Sequence, residues 1–378
     1  MRRIGIAILG IVTALALAAC GGSGAGGSSN NSSAETLIGV SMPTQTSERW
    51  IADGNAVKDG LEKAGYKVDL QYANDDIPTQ TQQIDAMITE GAKVLIIAAI
   101  DGTALTSQLD AAAAAGIKVI SYDRLIRDSK NVDFYVSFDN YKVGVAQATA
   151  LLYGLGVTDK DGKATGKATK GQYIELFAGS LDDNNAHFFW NGAMDTLKPY
   201  LDDGTLVVKS GQTTIEQCAT LRWLQETAQK RMEDLLTSTY GGKGTGLKGV
   251  LSPYDGISRG IITALQGVGM GPTITKGLPV VTGQDAEIAS VKLIADDVQQ
   301  STIFKDTRKL ADEAVTAAQA FLSDKTPEAN NTTDYDNGVK VVPSFLLEID
   351  TVYKDNIQSL LVDTGYYTEA EVKSGVAK

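Results

Sequence analysis

Short apolar runs alternate with longer segments of helical periodicity from residue 36 onward. Val94–Ile100 (VLIIAAI) is apolar on both faces, which is typical of a buried parallel strand. Gly65, Gly91 and Gly116 stand where the intervening helices end. In this first block the pattern predicts strands at Thr36–Met42, Lys67–Tyr72, Val94–Ile100 and Lys118–Ser121, and helices at Glu48–Ala64, from Pro78 to Gly91, and at Thr103–Ala115.

The same rhythm restarts after a break near Val136–Asn140. It predicts strands at Gln172–Phe177, Leu206–Ser210 and Gly249–Ser252, and helices at Asn185–Leu197, Gln225–Ser238 and Gly256–Gly267. Strands that alternate with helices of this length form right-handed crossovers and a parallel sheet. The 378 residues therefore predict an α/β protein with two doubly wound parallel-sheet lobes.

The N-terminus is predicted to be an export signal and to lie outside the fold. Arg2 and Arg3 precede the apolar run Ile4–Ala19, which is shorter than the roughly 20 residues of a membrane-spanning helix. The run ends in Leu-Ala-Ala-Cys-Gly, which resembles a bacterial lipoprotein site with Cys20 as the lipidated residue. An ordinary signal peptide with a cysteine beside its cleavage site is the alternative. Residues 1–19 are thus predicted as the signal, and residues 20–36 as the lipidated cysteine and a flexible Gly/Ser tether.

Charge and composition narrow the function classes. The chain has 34 Lys and Arg against 46 Asp and Glu, a net charge of −12 that disfavours nucleic acid as a partner. A single histidine (His187) and two cysteines (Cys20 and Cys218) leave little for metal sites or for Cys/His catalysis. With Cys20 lipidated, Cys218 is expected to be a packed side chain. The composition predicts a protein that is not an enzyme, without metal or cofactor.

Polar and aromatic side chains recur just after the predicted strands in both blocks. In open parallel sheets ligands bind beyond these carboxyl ends, so two facing lobes would enclose a polar cleft. An Asp at a strand end can equally be a helix cap, and Phe188 or Trp190 can be helix core. The candidates are Arg49, Trp50, Asp101, Asp123, Arg124, Asn185, Asp255, Gln284, Asp285 and Lys305.

This mixture of groups suits a monosaccharide. Each sugar hydroxyl both donates and accepts, carboxylates and amides bond in planar pairs, and arginine supplies a fixed fork of donors. Aromatic rings cover the apolar face of a pyranose. A phosphorylated ligand would call for a glycine-rich phosphate loop, and Gly241–Gly246 lacks that spacing.

Several motifs resemble the sugar-binding proteins of ABC importers, above all the multiple-sugar-binding and xylose-binding receptors. They are VSMPTQTSERW (40–50), AIDG (99–102), SYDRLIR (121–127), GSLDDNN (179–185), SPYDG (252–256), GQDAE (283–287) and STIFKD (301–306). The resemblance runs from about Leu37 to Tyr367. It implies a type I periplasmic-binding-protein fold whose lobes are joined by three crossing strands. It also implies residues 37–138 plus 283–325 in the N-terminal lobe, and 139–282 plus 326–367 in the C-terminal lobe.

The resemblance further implies binding of aldopyranoses such as glucose, galactose, arabinose or xylose. Arg49, Trp50, Asp101, Asp123 and Arg124 would act from the N-terminal lobe; Asn185, Trp223, Asp255 and Gln284 or Asp285 would act from the C-terminal lobe and hinge, with Lys305 as an added donor. Trp223 lies in the segment LRWLQ, and packing in the core is the alternative to ligand binding for this side chain. His187 departs from the aromatic or aliphatic residue expected there and is interpreted as exposed on its helix.

The implied partners are a monosaccharide and the permease subunits of an ABC importer, with a lipid anchor holding a monomer on the outer face of the cell membrane. A sensor kinase ectodomain is a second possible partner for the closed lobes. Two other classes are weighed against this receptor. A transcriptional repressor of the same core fold would begin with a basic helix-turn-helix rather than a Gly/Ser tether. An exported sugar-modifying enzyme would need an acid/base pair, for which Asp101 and Asp123 could be mistaken.

Overall fold

The computed structural model describes residues 36–377. The predicted signal segment, Cys20 and the tether lie outside the described residues. The strands are β1 Leu37–Met42, β2 Lys67–Tyr72, β3 Val94–Ile97, β4 Lys118–Tyr122, β5 Phe134–Phe138, β6 Gln172–Leu176, β7 Leu206–Val208, β8 Leu247–Leu251, β9 Val280–Val281, β10 Thr302–Phe304, β11 Ser344–Leu347 and β12 Asp350–Val352. The helices are α1 Glu48–Lys63, α2 Ile77–Thr89, α3 Thr106–Ala114, α4 Asn140–Gly154, α5 Asn184–Asp202, α6 Ile215–Cys218, α7 Gln225–Thr239, α8 Asp255–Gly267, α9 Ile288–Ala295, α10 Thr307–Leu322 and α11 Glu369–Ser374.

A six-stranded parallel sheet, in the order β11-β5-β4-β3-β1-β2, forms the core of what we call the first lobe. Helices cover both faces, because the central strands are apolar on both sides. One face packs against α1 and α10 and the other against α2 and α3. Asp76 begins α2 by accepting a hydrogen bond from the Thr79 amide, with Pro78 in the first turn.

A four-stranded parallel sheet, in the order β7-β6-β8-β9, forms the core of the second lobe. Helices α7 and α8 pack on one face, and α4 and α5 on the other. Gly144 on α4 and Gly192 on α5 allow these two helices to cross at backbone contact, since a side chain at either position would overlap the opposing main chain. This close crossing fixes the start of α5, which faces the first lobe.

Three segments connect the two sheets. The chain leaves the first sheet between β5 and α4, returns from β9 through β10 to α10, and passes from β11 to β12. Strands β10 and β12 pair with each other antiparallel between the sheets. These crossings agree with the two-lobed architecture expected from the sequence.

Strand β11 lies elsewhere than predicted. It pairs in parallel with β5, from Ser344 beside Tyr135 to Leu347 beside Phe138, and so extends the first sheet. The predicted boundary had placed residues 326–367 with the second lobe. The local sequence pattern could not predict this pairing, because β5 lies more than 200 residues before β11 in the sequence. No helix within residues 36–377 has the length and apolar character needed to cross a membrane.

Candidate functional site

A cleft lies where the carboxyl ends of both sheets face each other. Its walls are polar and aromatic, and they come from both lobes and the connecting segments. The lining residues used below are Ser47, Arg49, Trp50, Asp123, Arg124, Asp183, Asn185, Phe189, Arg222, Trp223, Tyr254, Arg259, Gln284, Asp285 and Lys305.

Arg49 is the centre of a buried ion cluster on the first-lobe side. Its Nε lies 2.9 Å from Asp53 Oδ2, one turn along α1, and its Nη2 lies 3.0 Å from Asp123 Oδ2 at the end of β4. Its Nη1 is 3.5 Å from Asp285 Oδ1, after β9. All four side chains are at most 8% exposed. Arginine suits this position, because a planar fork can hold several carboxylates in fixed directions.

Lys305 completes the cluster from the end of β10. Its ammonium lies 3.0 Å from Asp285 Oδ1 and 3.8 Å from Asp123 Oδ2. Although burial raises the pKa of Asp123, the charges of Arg49, Lys305 and Arg124 outweigh it, so the pKa is lowered and the carboxylate stays ionised. Burial raises the pKa of Asp53 to about 6, only partly offset by Arg49. Asp53 also accepts a hydrogen bond from the hydroxyl of Tyr122.

Both cleft carboxylates stand on strained backbone. Asp123 has φ of 58° and Asp285 has φ of 88°, in the left-handed region that side chains disfavour. The Asp123 carbonyl is held by the Tyr135 hydroxyl at 2.6 Å and by Asn185 Nδ2 at 2.8 Å. Such conformations persist only where the surroundings impose them, and they cluster at binding sites. In this conformation both Asp123 and Asp285 line the cleft.

The second-lobe side carries three aromatic rings, Phe189, Trp223 and Tyr254, which we call the aromatic wall, beside polar residues such as Asp183, Asn185, Arg222 and Arg259. Trp223 makes edge-on contacts with Phe189, at 6.3 Å between ring centroids, and with Tyr254, at 6.1 Å. The Trp223 ring lies against Gly179, where any side chain would overlap it. Its Nε1 is buried without a hydrogen-bond partner. The arrangement offers a ring face together with one unused donor, which suits a flat ligand bearing hydroxyls.

Trp50 differs from Trp223 in what covers it. It is 4% exposed, and the guanidinium carbons of Arg49 and Arg124 lie 4.5 Å and 5.1 Å from its ring centroid. Arg124 Nε in turn lies 3.1 Å from Asp183 Oδ2 at the start of α5. Trp50 therefore supports the two guanidinium groups by cation–π contact.

A family profile described as a periplasmic binding protein domain matches residues 38–326. The chain belongs to the periplasmic binding protein family. The multiple sugar-binding periplasmic receptor ChvE of Rhizobium radiobacter is 54% identical over 89% of this chain and 92% of its own. The D-xylose-binding periplasmic protein of Escherichia coli K12 is 36% identical over 89% and 93%.

Solved structures agree with this assignment. An ABC transporter solute-binding protein from Clostridium phytofermentans with bound β-D-glucose is 44% identical, with a TM-score of 0.83, and the alignment covers 89% of this chain and all of that one. The chain thus has the type I periplasmic-binding-protein fold, as predicted. Family members are binding proteins, which confirms the prediction that this chain is not an enzyme. Within residues 36–377 no cluster of His, Cys, Asp and Glu could hold a metal ion.

The cleft contains most of the residues predicted from this family. These are Arg49, Trp50, Asp123, Arg124, Asn185, Trp223, Gln284, Asp285 and Lys305. The structure does not place the other two predicted residues in the cleft lining. Asp101 lies outside the cleft and accepts hydrogen bonds from the amide and hydroxyl of Thr103, so it caps a turn. Asp255 is fully buried behind the cleft, where it accepts hydrogen bonds from the Glu287 amide and from Thr302 and Gln299.

Several residues of the site were not predicted. Asp53 follows Arg49 by four residues on one helix, a spacing that could have revealed the pair. Asp183 lies within the recognised GSLDDNN segment, two residues before the selected Asn185. Tyr254 could not be distinguished from a core residue by its sequence context.

The remaining residues singled out in the sequence lie away from the cleft. His187 is exposed on α5, as interpreted. Cys218 is buried, and burial raises the pKa of its thiol to about 11, so it is a packed side chain. Trp190 packs in the second-lobe core.

Proposed function

We propose that the protein is an extracytoplasmic receptor for aldopyranose monosaccharides of the glucose type. The observation that carries this proposal is the pairing of an ion cluster with an aromatic wall across one cleft. Arg49, Asp123 and Asp285 supply charge-assisted hydrogen bonds to hydroxyls, and Trp223 supplies a ring face. The glucose-bound relative at 44% identity and the sugar-binding receptor at 54% support it.

A thermal-shift screen against D-glucose, D-galactose, D-xylose, L-arabinose and non-sugar controls tests the proposal. A sugar present at 100 times its dissociation constant should stabilise the fold by about 2.7 kcal/mol. Calorimetry should then give one site per chain. Recovery of the sugar unchanged separates a receptor from a sugar-modifying enzyme. A panel in which no monosaccharide raises the unfolding temperature would contradict the proposal.

We propose that the sugar is bound by closure of the lobes and then delivered to an ABC importer. Contacts between the lobes support closure: Arg124 pairs with Asp183, and the Gly102 amide donates to the Asp182 carbonyl at 3.2 Å. A ligand that touches both walls favours the closed state by its extra contacts there. Small-angle scattering should show a smaller radius of gyration with sugar than without. An unchanged radius at saturation argues against closure.

We also propose that lipid on Cys20 anchors the receptor outside the cell membrane. The motif Leu-Ala-Ala-Cys and the Gly/Ser tether support this. Cys20→Ser should release the protein from membranes or block its processing. Wild-type processing and membrane fractionation of the variant would argue for another mode of retention.

A further inference from the structure

The turn Gln284–Glu287 leads from β9 to α9 and places two of its side chains in the cleft. Gln284 and Asp285 both line the cleft, and Asp285 pairs with Lys305 at 3.0 Å. Asp285 and Ala286 have φ of 88° and 49°, so two consecutive residues other than glycine are left-handed. Such a pair does not hold its own conformation, because the side chains clash with the backbone there. Groups outside the turn must hold it.

Two of the turn's amides are held by β10. The Asp285 amide donates to the Ile303 carbonyl at 2.8 Å, and the Ala286 amide donates to Thr302 Oγ1 at 3.0 Å. The Thr302 hydroxyl then donates to Asp255 Oδ2, also at 3.0 Å. Thr302 therefore links the turn to a buried carboxyl group.

Asp255 also holds the turn directly. Its Oδ2 accepts from the Glu287 amide at 2.9 Å, and its Oδ1 accepts from Gln299 Nε2 at 2.9 Å. Gly283 permits this, because a side chain there would overlap Asp255 Oδ1. Asp255 lies outside the cleft lining, so its contacts with the turn replace the ligand contact that its place after a strand had suggested.

Tyr367 holds the turn from the opposite direction. It belongs to the C-terminal segment, beyond the residues that match the family profile. Its hydroxyl donates to the Ala286 carbonyl at 3.0 Å. The neighbouring Tyr366 packs edge-on against Tyr367 and Phe304, and its hydroxyl lies 3.2 Å from Thr307 Oγ1, away from the turn.

We propose that Tyr367 and Asp255 are positioning residues, which hold the strained 284–287 turn so that Asp285 meets the ligand without touching the ligand themselves. The C-terminal segment thereby becomes part of the binding apparatus. This inference rests on the proposed function, since Asp285 is taken to contact the sugar.

A double-mutant cycle between Tyr367→Phe and Asp285→Asn tests the inference, with Tyr366→Phe as the matched control. Each variant keeps its ring or its shape and removes one polar function. By calorimetry with D-glucose, Tyr367→Phe should weaken binding about 5- to 10-fold, the effect of one hydrogen bond. Tyr366→Phe should remain within about 2-fold of wild type, since its hydroxyl touches no atom of the turn. In the Asp285→Asn background the Tyr367→Phe effect on affinity should disappear. Tyr367 is inferred to act on the sugar only through the Asp285 carboxylate, which this variant lacks.

Equal weakening by Tyr367→Phe in both backgrounds, or no weakening in either, would overturn the inference. Amide hydrogen exchange in residues 285–287 gives a readout that needs no ligand. Exchange there should be faster in Tyr367→Phe than in Tyr366→Phe, and faster still in Asp255→Asn. Equal exchange in the two tyrosine variants also overturns the inference. If wild-type protein binds none of the sugars while the turn exchanges as expected, the proposed function fails and the positioning of the turn stands.

Discussion

The two sides of the cleft differ in the groups that they offer to a ligand. On the first-lobe side Arg49 is paired with Asp53 and Asp123 within the protein itself, so the directions of these groups are set before any ligand arrives. On the second-lobe side Trp223 packs against Phe189, Tyr254 and Gly179, and its Nε1 lacks a hydrogen-bond partner. The ion cluster around Arg49 is organised by charge, and the aromatic wall of Phe189, Trp223 and Tyr254 is organised by ring packing.

This difference implies a division of labour. Hydrogen bonds from fixed, buried, charged groups discriminate between hydroxyl arrangements, because a missing hydroxyl leaves such a group unpaired. A ring face recognises the apolar side of any pyranose. We therefore expect changes in the ion cluster to alter sugar preference and changes in the aromatic wall to weaken all sugars alike.

Asp123→Ala should have the largest effect. It leaves Arg49 and Lys305 short of a partner, and breaking a buried ion pair costs about 3–5 kcal/mol of unfolding free energy. Sugar affinity should fall at least ~100-fold by calorimetry, because the lost charge-assisted bonds are worth roughly 1.5–3 kcal/mol each. Asp123→Asn, which keeps the shape, separates lost binding from lost folding.

Asp101→Ala is the matched control, since it removes a carboxylate that also follows a strand but caps a turn instead. Its affinity should stay close to wild type. If Asp101→Ala and Asp123→Ala weakened sugar binding to a similar extent, the proposed role of the ion cluster in binding would be contradicted.

The ion cluster should also respond to pH. The pKa of Asp53 is about 6 in the native state, against about 3.9 in the unfolded chain. Between these values native protein binds a proton that unfolded protein has released, so this group makes the unfolding free energy rise as pH falls from about 6 to 4. Relative to Asp53→Asn, wild type should gain up to about 3 kcal/mol over this window in urea titrations.

Asp59→Asn, which removes an exposed carboxylate from the same helix, is the matched control. Parallel profiles for wild type and Asp53→Asn would show that Asp53 does not titrate in this range.

Trp223→Phe should have the smallest effect. It keeps a ring but removes the free Nε1 donor and part of the stacking area. Each such contact is worth about 0.5–1.5 kcal/mol, so affinity should fall about 5-fold for every pyranose, with the order of preference kept. Trp190→Phe changes a core tryptophan of the same lobe and should leave affinity unchanged. If Trp223→Phe changed the order in which sugars are preferred, the proposal that only the ion cluster sets this preference would be contradicted.

Much of the fold was predictable because its signals are local. The strands from β1 to β4 and helices such as α1 and α8 follow apolar periodicity, with glycine at their ends. The placement of β11 depends on a partner strand far away in the sequence, which no local pattern encodes. Helix α4 was missed because it is apolar on most of its surface, being packed between α5 and the second sheet.

The site residues were likewise predictable where the signal is local and not where it depends on distant contacts. Strand-end positions identified Asp123 and Asp285, because every parallel sheet brings these ends together. The same rule failed for Asp255, which also follows a strand but turns inward to hold a backbone turn. The direction in which the Asp255 carboxylate points depends on hydrogen bonds from Thr302 and Gln299. These residues lie more than 40 positions away in the sequence, so no local pattern places them beside Asp255.

A crystal structure of the protein with D-glucose is the most direct test of the two-walled cleft. We expect one pyranose in the cleft, with hydroxyls within hydrogen-bonding distance of Asp123 and Asp285 and a ring face against Trp223. A sugar bound outside the cleft, or within it but without contact to either carboxylate, would contradict the division between a charged wall and an aromatic one.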